Sequence, residues 1–212
     1  MKALIIGNSP DFDHSTIEKL AAKSNLILVT DGAILKLPPG VTPHIVCGDF
    51  DSLVLEQVQP KFPKTEFVQL SDQELNDLEK ALLLALDRGA TELFLVCIVG
   101  GAIDKSIANL SLLVRYHTRI PIRAYHGKME CQIVSAGSSQ RIILESGQVV
   151  STLPLTSPTT LSLSGVRYPL NRESLQIGSR GVGNQALGGE VCVEVFDGMV
   201  VMCVGAVSKV AV

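Results

Sequence analysis

Asp49 and Asp51 stand two residues apart in the stretch IVCGDFDSL, directly after a short apolar run. One carboxylate in that place could cap the helix that follows a strand. A second adds like-charge repulsion when both are ionised. A hard divalent cation such as Mg²⁺ relieves it, because such ions take oxygen ligands and are held by one or two carboxylates together with substrate phosphates. Other acids fall in similar places. Asp31 precedes Gly32 after NLILVT, Asp72 and Gln73 follow TEFVQL, and Asp104 comes shortly after Gly100 and Gly101. Nine of the ten aspartates precede residue 128, and five of those nine (Asp31, Asp49, Asp51, Asp72 and Asp104) follow apolar runs.

Each acid also has a structural reading. SDQE at 71–74 matches a capping box, with Ser71 as the cap and Glu74 reaching back. Asp31 before a glycine could be a turn residue. Asp77 and Lys80, three apart in NDLEKAL, could form an exposed ion pair on a solvated helix face, or a carboxylate and an ammonium aimed at a substrate. Gly100 and Gly101 let the backbone come close to a ligand, with Asp104 and Asn109 beyond them.

The elements that must position these groups differ between the two halves of the chain. Up to about residue 127, short β-rich runs alternate with helical patterns. They are KALIIG, a helix over roughly 15–24, NLILVT, a helical stretch after Asp31, HIVCG, TEFVQL, a helix over 74–88, ELFLVCIVG, a helix over 106–117, and IRAYH. Such alternation predicts a parallel sheet with crossover helices. In the 74–88 helix, Leu75, Leu78, Leu82, Ala85 and Leu86 draw one apolar stripe that should lie on the sheet. Ligands of such sheets bind beyond the carboxyl ends of the strands, where the acids fall. After residue 127 only short strands and turns follow: CQIVS, QRIILES, QVVSTLPL, TLSLSG, GEVCVEVFDG and MVVMCVGAV. Asp-Gly between the last two is a hairpin signal. The expected fold is an N-terminal parallel-sheet α/β domain, residues 1–127, followed by a C-terminal all-β sandwich domain, residues 128–212.

Composition narrows the function classes. The chain has 212 residues, 46% of them hydrophobic, a net charge of −3 and few aromatics. It has the apolar material for a core, and no basic field or stacking surface for nucleic acid. MKALIIGNSP has too short an apolar run for a signal peptide, and no later run approaches the roughly 18 residues of a membrane span. A cytoplasmic protein with no membrane partner is expected. The five cysteines lack C-x-x-C spacing, and Cys47, Cys97, Cys192 and Cys203 sit in apolar runs, so they read as small buried hydrophobes.

Taken in order, DGA, GDFDS, SDQELNDLEKAL, GGAIDKSIANL and, in the β half, LSLSGVRYPL followed by GNQ resemble the thiamine pyrophosphokinase family. The resemblance spans nearly the whole chain. It implies an α/β domain that binds ATP and Mg²⁺, a β-sandwich domain that binds thiamine, and a homodimer with the active site shared between subunits. It also implies transfer of a pyrophosphoryl group from ATP to the hydroxyethyl group of thiamine, giving thiamine diphosphate and AMP. Carried over by position, the metal and ATP phosphates fall to Asp49, Asp51 and Asp72, with Asp31, Gln73, Asp77 and Lys80 completing the nucleotide side. Asp104 and Asn109 would lie near the reacting groups, Lys105 near the phosphates, and Ser164, Gly165, Tyr168 and Asn184 on the thiamine side. The family commonly has Thr, Arg, His and Ser where this chain has Asn76, Ala102, Lys105 and Gly183. Losing an Arg at a phosphate site can cost a bidentate contact, for which Lys105 could restore a positive charge as a point donor. Three other readings stay open: a haloacid dehalogenase-type phosphatase with a D-x-D nucleophile, a diphosphokinase acting on another hydroxymethyl heterocycle such as a pterin, and a non-catalytic thiamine-binding relative.

Overall fold

Four apolar runs of the first half, KALIIG, NLILVT, HIVCG and ELFLVCIVG, become strands buried on both faces, as crossover helices on either side of a parallel sheet require. A computed structural model describes residues 1–51 and 53–207; Ser52 of the GDFDS stretch and the last five residues of the expected β domain lie outside them. Two compact units result, Met1–Gly127 and a second beginning at Lys128.

In the first unit, β1 (Lys2–Ile6), β2 (Leu26–Thr30), β3 (Ile45–Gly48), β4 (Glu66–Gln69), β5 (Glu92–Val96) and β6 (Ile122–His126) lie parallel in the order β6-β5-β1-β2-β3-β4. Four helices join them: α1 (His14–Ala21), α2 (Leu55–Val58), α3 (Asp77–Asp87) and α4 (Ile103–Tyr116). Leu4, Ile6, Ile27, Val29, Phe94 and Val96 form one core layer with Ile17 and Leu20 of α1 and Val58 of α2. α3 packs on β1, β2 and β3 through Leu78, Ala81, Leu82 and Ala85, whose spacing of three and four makes one buried stripe.

Several boundaries depart from the sequence reading, each for a local reason. α3 starts at Asp77, three residues after the expected position, because Asn76 is its cap and accepts a hydrogen bond from the Glu79 backbone N–H at 2.9 Å. SDQE is therefore not a capping box, and Leu75 precedes the helix. The stretch after Asp31 is a 3₁₀ helix, Asp31–Lys36, which stops before Pro38 as the residue preceding a proline disfavours helix. β5 ends at Val96 because Cys97 takes a left-handed backbone, φ 58°. α4 begins three residues early, at Ile103, with Ala102 supplying no side-chain cap that a sequence could announce.

The second unit contains two antiparallel sheets around one core. One has the order β12-β9-β14-β7 and the other β11-β10-β13-β8. The strands are β7 (Met129–Ser135), β8 (Ser138–Leu144), β9 (Gln148–Pro154), β10 (Thr159–Ser164), β11 (Leu170–Leu175), β12 (Asn184–Gln185), β13 (Gly189–Asp197) and β14 (Met199–Val207). Val134, Val150 and Val200 of the first sheet meet Leu161, Leu163, Val193 and Val195 of the second. Asp197-Gly198 does not close a hairpin. β13 is flanked by β10 and β8, and β14 by β9 and β7, so both have partners on each edge and the turn carries the chain from one sheet to the other.

Leu82 is wholly buried on α3. Leu82→Ala should lower the unfolding free energy in urea by about 2–5 kcal/mol, the range for a buried leucine truncated to alanine. Leu86→Ala, at a half-buried position, should cost less. Equal losses would show that the stripe does not fix the helix on the sheet.

Candidate active site

β1 lies between β2 and β5, so the connections leaving β1 and β5 run in opposite directions and leave a crevice at their carboxyl ends. Gly7 allows the two loops to touch, since a Cβ there would lie 2.5 Å from the Cys97 carbonyl oxygen. The Gly7 and Ser9 N–H groups donate to Val96 and Cys97 carbonyls at 2.9 and 3.0 Å. The resulting cleft holds about 500 Å³. Asn8 and Ser9 line one side, Gly100, Gly101 and Lys105 another, and Asp49, Gln73, Asp77, Lys80 and Asn109 complete it.

Beside this cleft the sheet brings three acids together. β2 and β3 run in register with Thr30 opposite Cys47, which sets Asp31 next to Gly48. A Cβ at Gly48 would come within 3.0 Å of the Asp31 Cβ, so glycine lets the strand end pass close. Asp31 itself is buried, with φ 35°. Between Asp49 and Asp51, Phe50 also adopts a left-handed backbone, φ 64°. Such a conformation costs a non-glycine residue roughly 1–2 kcal/mol. Its ring is buried and packs 6.2 Å from that of Phe67, which offsets the cost and pins the backbone between the two acids. One carboxylate oxygen from each of Asp31, Asp49 and Asp51 lies within 4.8 Å of the others. At that spacing two unit charges repel by a few kcal/mol at an effective dielectric near 20, less for the exposed Asp51. Clustered oxygen donors of this kind suit a hard divalent cation.

Gln73, Asp77 and Lys80, which the resemblance assigns to the nucleotide side, lie at and just before the start of α3, apart from Asp31. The Lys80 ammonium is almost fully buried and lies 3.4 Å from a carboxylate oxygen of Asp77, whose side chain is 39% exposed. The pair is thus not an exposed one on a solvated face; a buried ammonium requires a partner, and Asp77 supplies it at the wall of the cleft. Asn76 reaches beyond its capping role, its Nδ2 donating to Asn109 Oδ1 at 3.0 Å, while Asn109 Nδ2 donates to the Ile98 carbonyl at 2.8 Å. Burial pushes the Cys47 thiol up to about 12 and that of Cys97 up to about 11, so both stay neutral, as small hydrophobes should.

Two assigned acids stand apart from the cluster. Asp72 is exposed, and its Oδ1 accepts a hydrogen bond from the Glu74 N–H at 2.8 Å, holding the turn that carries Gln73. Asp104 is exposed on the first turn of α4, where it accepts from the Lys105 N–H at 2.8 Å. The third member of the acid cluster is Asp31.

In the second unit, Asn184 is buried and its amide is used on backbone. Oδ1 accepts from the Tyr168 and Gln185 N–H groups at 3.1 and 2.9 Å, and Nδ2 donates to the Tyr168 carbonyl at 2.7 Å. Asn184 therefore holds the turn that follows Ser164 and Gly165 and presents Tyr168, which is 64% exposed with the Arg167 guanidinium 5.5 Å above its ring. Sequence reasoning missed Lys36, whose ammonium donates to Asn8 Oδ1 at 2.7 Å and sits 5.7 Å over the Phe12 ring, bracing the loop after β1. It also read Asn76 only as a departure from the family, although NDLE offers a cap with an acid three residues on.

Comparison with known proteins agrees with both units. The sequence model of the thiamin pyrophosphokinase catalytic domain matches residues 17–124, about half of the chain, and that of the thiamin pyrophosphokinase vitamin B1 binding domain matches residues 139–200. The chain is 29% identical over 156 residues to thiamine pyrophosphokinase of Bacillus subtilis, covering 71% of this chain and 72% of that one. It is 28% identical over 187 residues to thiamin pyrophosphokinase 1 of Caenorhabditis elegans, covering 82% and 76%. The crystal structure of the Bacillus subtilis enzyme superimposes with a TM-score of 0.84 at 23% identity over 97% of this chain and 99% of that one. That of Geobacillus thermodenitrificans thiamin pyrophosphokinase gives 0.82 at 23% over 99% of both. With its acid-rimmed cleft in the unit matched by the catalytic domain and its β unit matched by the vitamin B1 binding domain, the chain belongs to the thiamine pyrophosphokinase family.

Proposed function

We propose that this protein transfers a pyrophosphoryl group from ATP to the hydroxyl of thiamine, giving thiamine diphosphate and AMP. The observation that carries the reading is the coincidence, at one rim of the sheet, of three clustered carboxylates and a cleft containing a buried ammonium. In the reaction the thiamine hydroxyl oxygen attacks the β-phosphorus of ATP and the bond to the α–β bridging oxygen breaks, so that AMP departs. Transfer of this kind asks the protein mainly for positioning and for positive charge where negative charge develops.

Asp31, Asp49 and Asp51 would hold Mg²⁺, which when bound supplies positive charge to phosphate oxygens that the acids alone would repel. Lys80, kept in place by Asp77, and the exposed Lys105 direct two ammonium groups at the phosphates. Gln73 offers an amide, and Asn109, held by Asn76 and Ile98, shapes the wall on the α4 side. Asp72 and Asp104 act on their neighbours, setting the Gln73 turn and the start of α4. In the β unit, Ser164, Gly165 and Tyr168 form the thiamine side, with Asn184 positioning Tyr168. The family resemblance supports a homodimer that shares its acceptor site between subunits, working in the cytoplasm. Among the described residues no helix is long and apolar enough to cross a membrane. The phosphatase reading loses its footing, because the D-x-D segment follows the third strand of the sheet and both its acids cluster with Asp31.

Incubation with thiamine, ATP and Mg²⁺ should release AMP in step with thiamine diphosphate, followed by a coupled AMP assay; ADP as the nucleotide product would refute pyrophosphoryl transfer. Asp49→Asn and Asp51→Asn should each lower kcat by about 10²-fold or more, in line with losing a group that stabilises developing charge. Wild-type rates in both would make the cluster structural. Chelation with EDTA should abolish turnover and excess Mg²⁺ restore it. For the shared site, mixing inactive Asp49→Asn and Asn184→Ala subunits under conditions of proven exchange should recover part of the activity, and none would return if each subunit worked alone.

A further inference from the structure

Two thiols outside the reaction face each other in the second unit. Cys131 on β7 and Cys203 on β14 are direct partners in antiparallel register, with their Sγ atoms 2.6 Å apart. Opposed residues of an antiparallel pair keep their Cα atoms about 4.5–5.5 Å apart, within the span of a disulfide. Val134, Val200 and Met202 point into the core between the sheets, so alternation along the strands puts Cys131 and Cys203 on the other face, where both are half-buried and within reach of a small solute. The remaining cysteines are differently placed: Cys47 and Cys97 are buried in the first unit, and Cys192 on β13 lies opposite Ser164 and Arg141.

The contact divides the roles of the two sulfurs. The hydrogen bond between them, reinforced by burial, pushes the Cys131 thiol up, and the same hydrogen bond draws Cys203 down against the opposing effect of burial. A thiol of such a pair can exist as thiolate, the reactive form, with its partner poised as the resolving thiol.

We propose that Cys131 and Cys203 are a redox-sensitive pair that closes to a disulfide on exposure to a peroxide and reopens with a thiol reductant. The Cys203 thiolate attacks one peroxide oxygen and the O–O bond breaks, leaving a sulfenic acid and a hydroxide that takes up a proton as water. The Cys131 sulfur then attacks the Cys203 sulfur, the S–O bond breaks, and the departing hydroxide leaves as a second water with the Cys131 proton. In sum, two thiols lose two electrons and two protons, and one hydrogen peroxide becomes two waters. The link would tie β7 to β14, the first and last strands of the unit among the described residues, and so restrict the unfolded chain over nearly the whole unit that the vitamin B1 binding domain matches. Redox state would then set how firmly that unit holds together.

The test is to treat the reduced protein with stoichiometric hydrogen peroxide, denature it, and titrate its thiols. The five thiols of the chain should fall by two. The intact mass should drop by two hydrogens, a peptide joining Cys131 to Cys203 should appear, the thermal midpoint should rise, and dithiothreitol should reverse all four. Cys192→Ser should lose two thiols in the same way, whereas Cys131→Ser and Cys203→Ser should keep their thermal midpoints unchanged on oxidation. Retention of all five thiols, a mass gain of oxygen in place of the loss of hydrogen, cross-linked dimers, or a disulfide through Cys192 would each overturn the proposal.

Discussion

Three carboxylates held within 4.8 Å of one another are the constraint around which the first unit is arranged. Left to themselves, ionised carboxylates this close would spread apart, since like charges repel, most strongly where burial limits screening. Their proximity is imposed by backbone. Asp31 and Gly48 are neighbours because β2 and β3 are hydrogen-bonded in fixed register, and Asp49 and Asp51 flank a Phe50 whose ring is committed to the core. None of these positions can relax without uncovering apolar surface or breaking a ladder. Burial of Phe50, a side chain worth roughly 1.5–3 kcal/mol when removed from water, is of the size needed to offset its left-handed backbone. The core thus supplies the free energy that keeps the charge cluster tight, which is how a stable scaffold maintains a locally unfavourable site.

The same rim carries opposite charge a short way round the cleft. Lys80 is almost completely withdrawn from water, and Asp77 gives it one carboxylate oxygen at 3.4 Å, a loose contact for a buried ammonium. A group held in this way gains from any further anion that reaches it, so the wall of the cleft favours a ligand bearing negative charge near α3 while the acid cluster favours one bearing, or bringing, positive charge. A metal-bound polyphosphate satisfies both demands at once. Neither free phosphate nor a bare cation does.

How much of this was legible in the sequence depended on whether the signal was local. β1, β2, β3 and β5 were legible because both faces are buried and each reads as an unbroken apolar run. Asp49 and Asp51 were legible because one cap cannot explain two acids. The family resemblance adds Asp72 to them, whereas the acid that the sheet sets beside them is Asp31, because the sequence shows which residues follow strands without showing how soon the chain turns away. Asp31 directly follows Thr30 on the strand beside β3, whereas Asp72 lies three residues past the end of edge strand β4 and is spent on a turn. Two adjacent capping signals competed before α3, and the one nearer the apolar stripe prevailed. β11 and β12 escaped notice because an edge strand such as LNRESL exposes most of its side chains and carries no alternation strong enough to read. The pairing of Cys131 with Cys203 is a product of register between strands far apart in the chain, which composition cannot disclose.

The amide contact between Asn76 and Asn109 shows how a departure from the family pattern can be absorbed. Asn109 has no freedom to turn over, because its Nδ2 donates to the Ile98 carbonyl and a flipped amide would set oxygen against oxygen there. Its Oδ1 is therefore fixed toward Asn76 and needs a donor. Asn76 meets that need with Nδ2 while its own Oδ1 caps the Glu79 N–H, so one side chain both starts α3 and ties it to α4. An aspartate would cap equally well but has no proton to give, and a serine or threonine hydroxyl must serve as acceptor and donor through a single shorter arm. Asparagine is thus a physically sufficient occupant of this position. Because Asp77 is the next residue and Lys80 lies one turn on, the same amide sets the angle at which the helix delivers its carboxylate and its buried ammonium to the cleft.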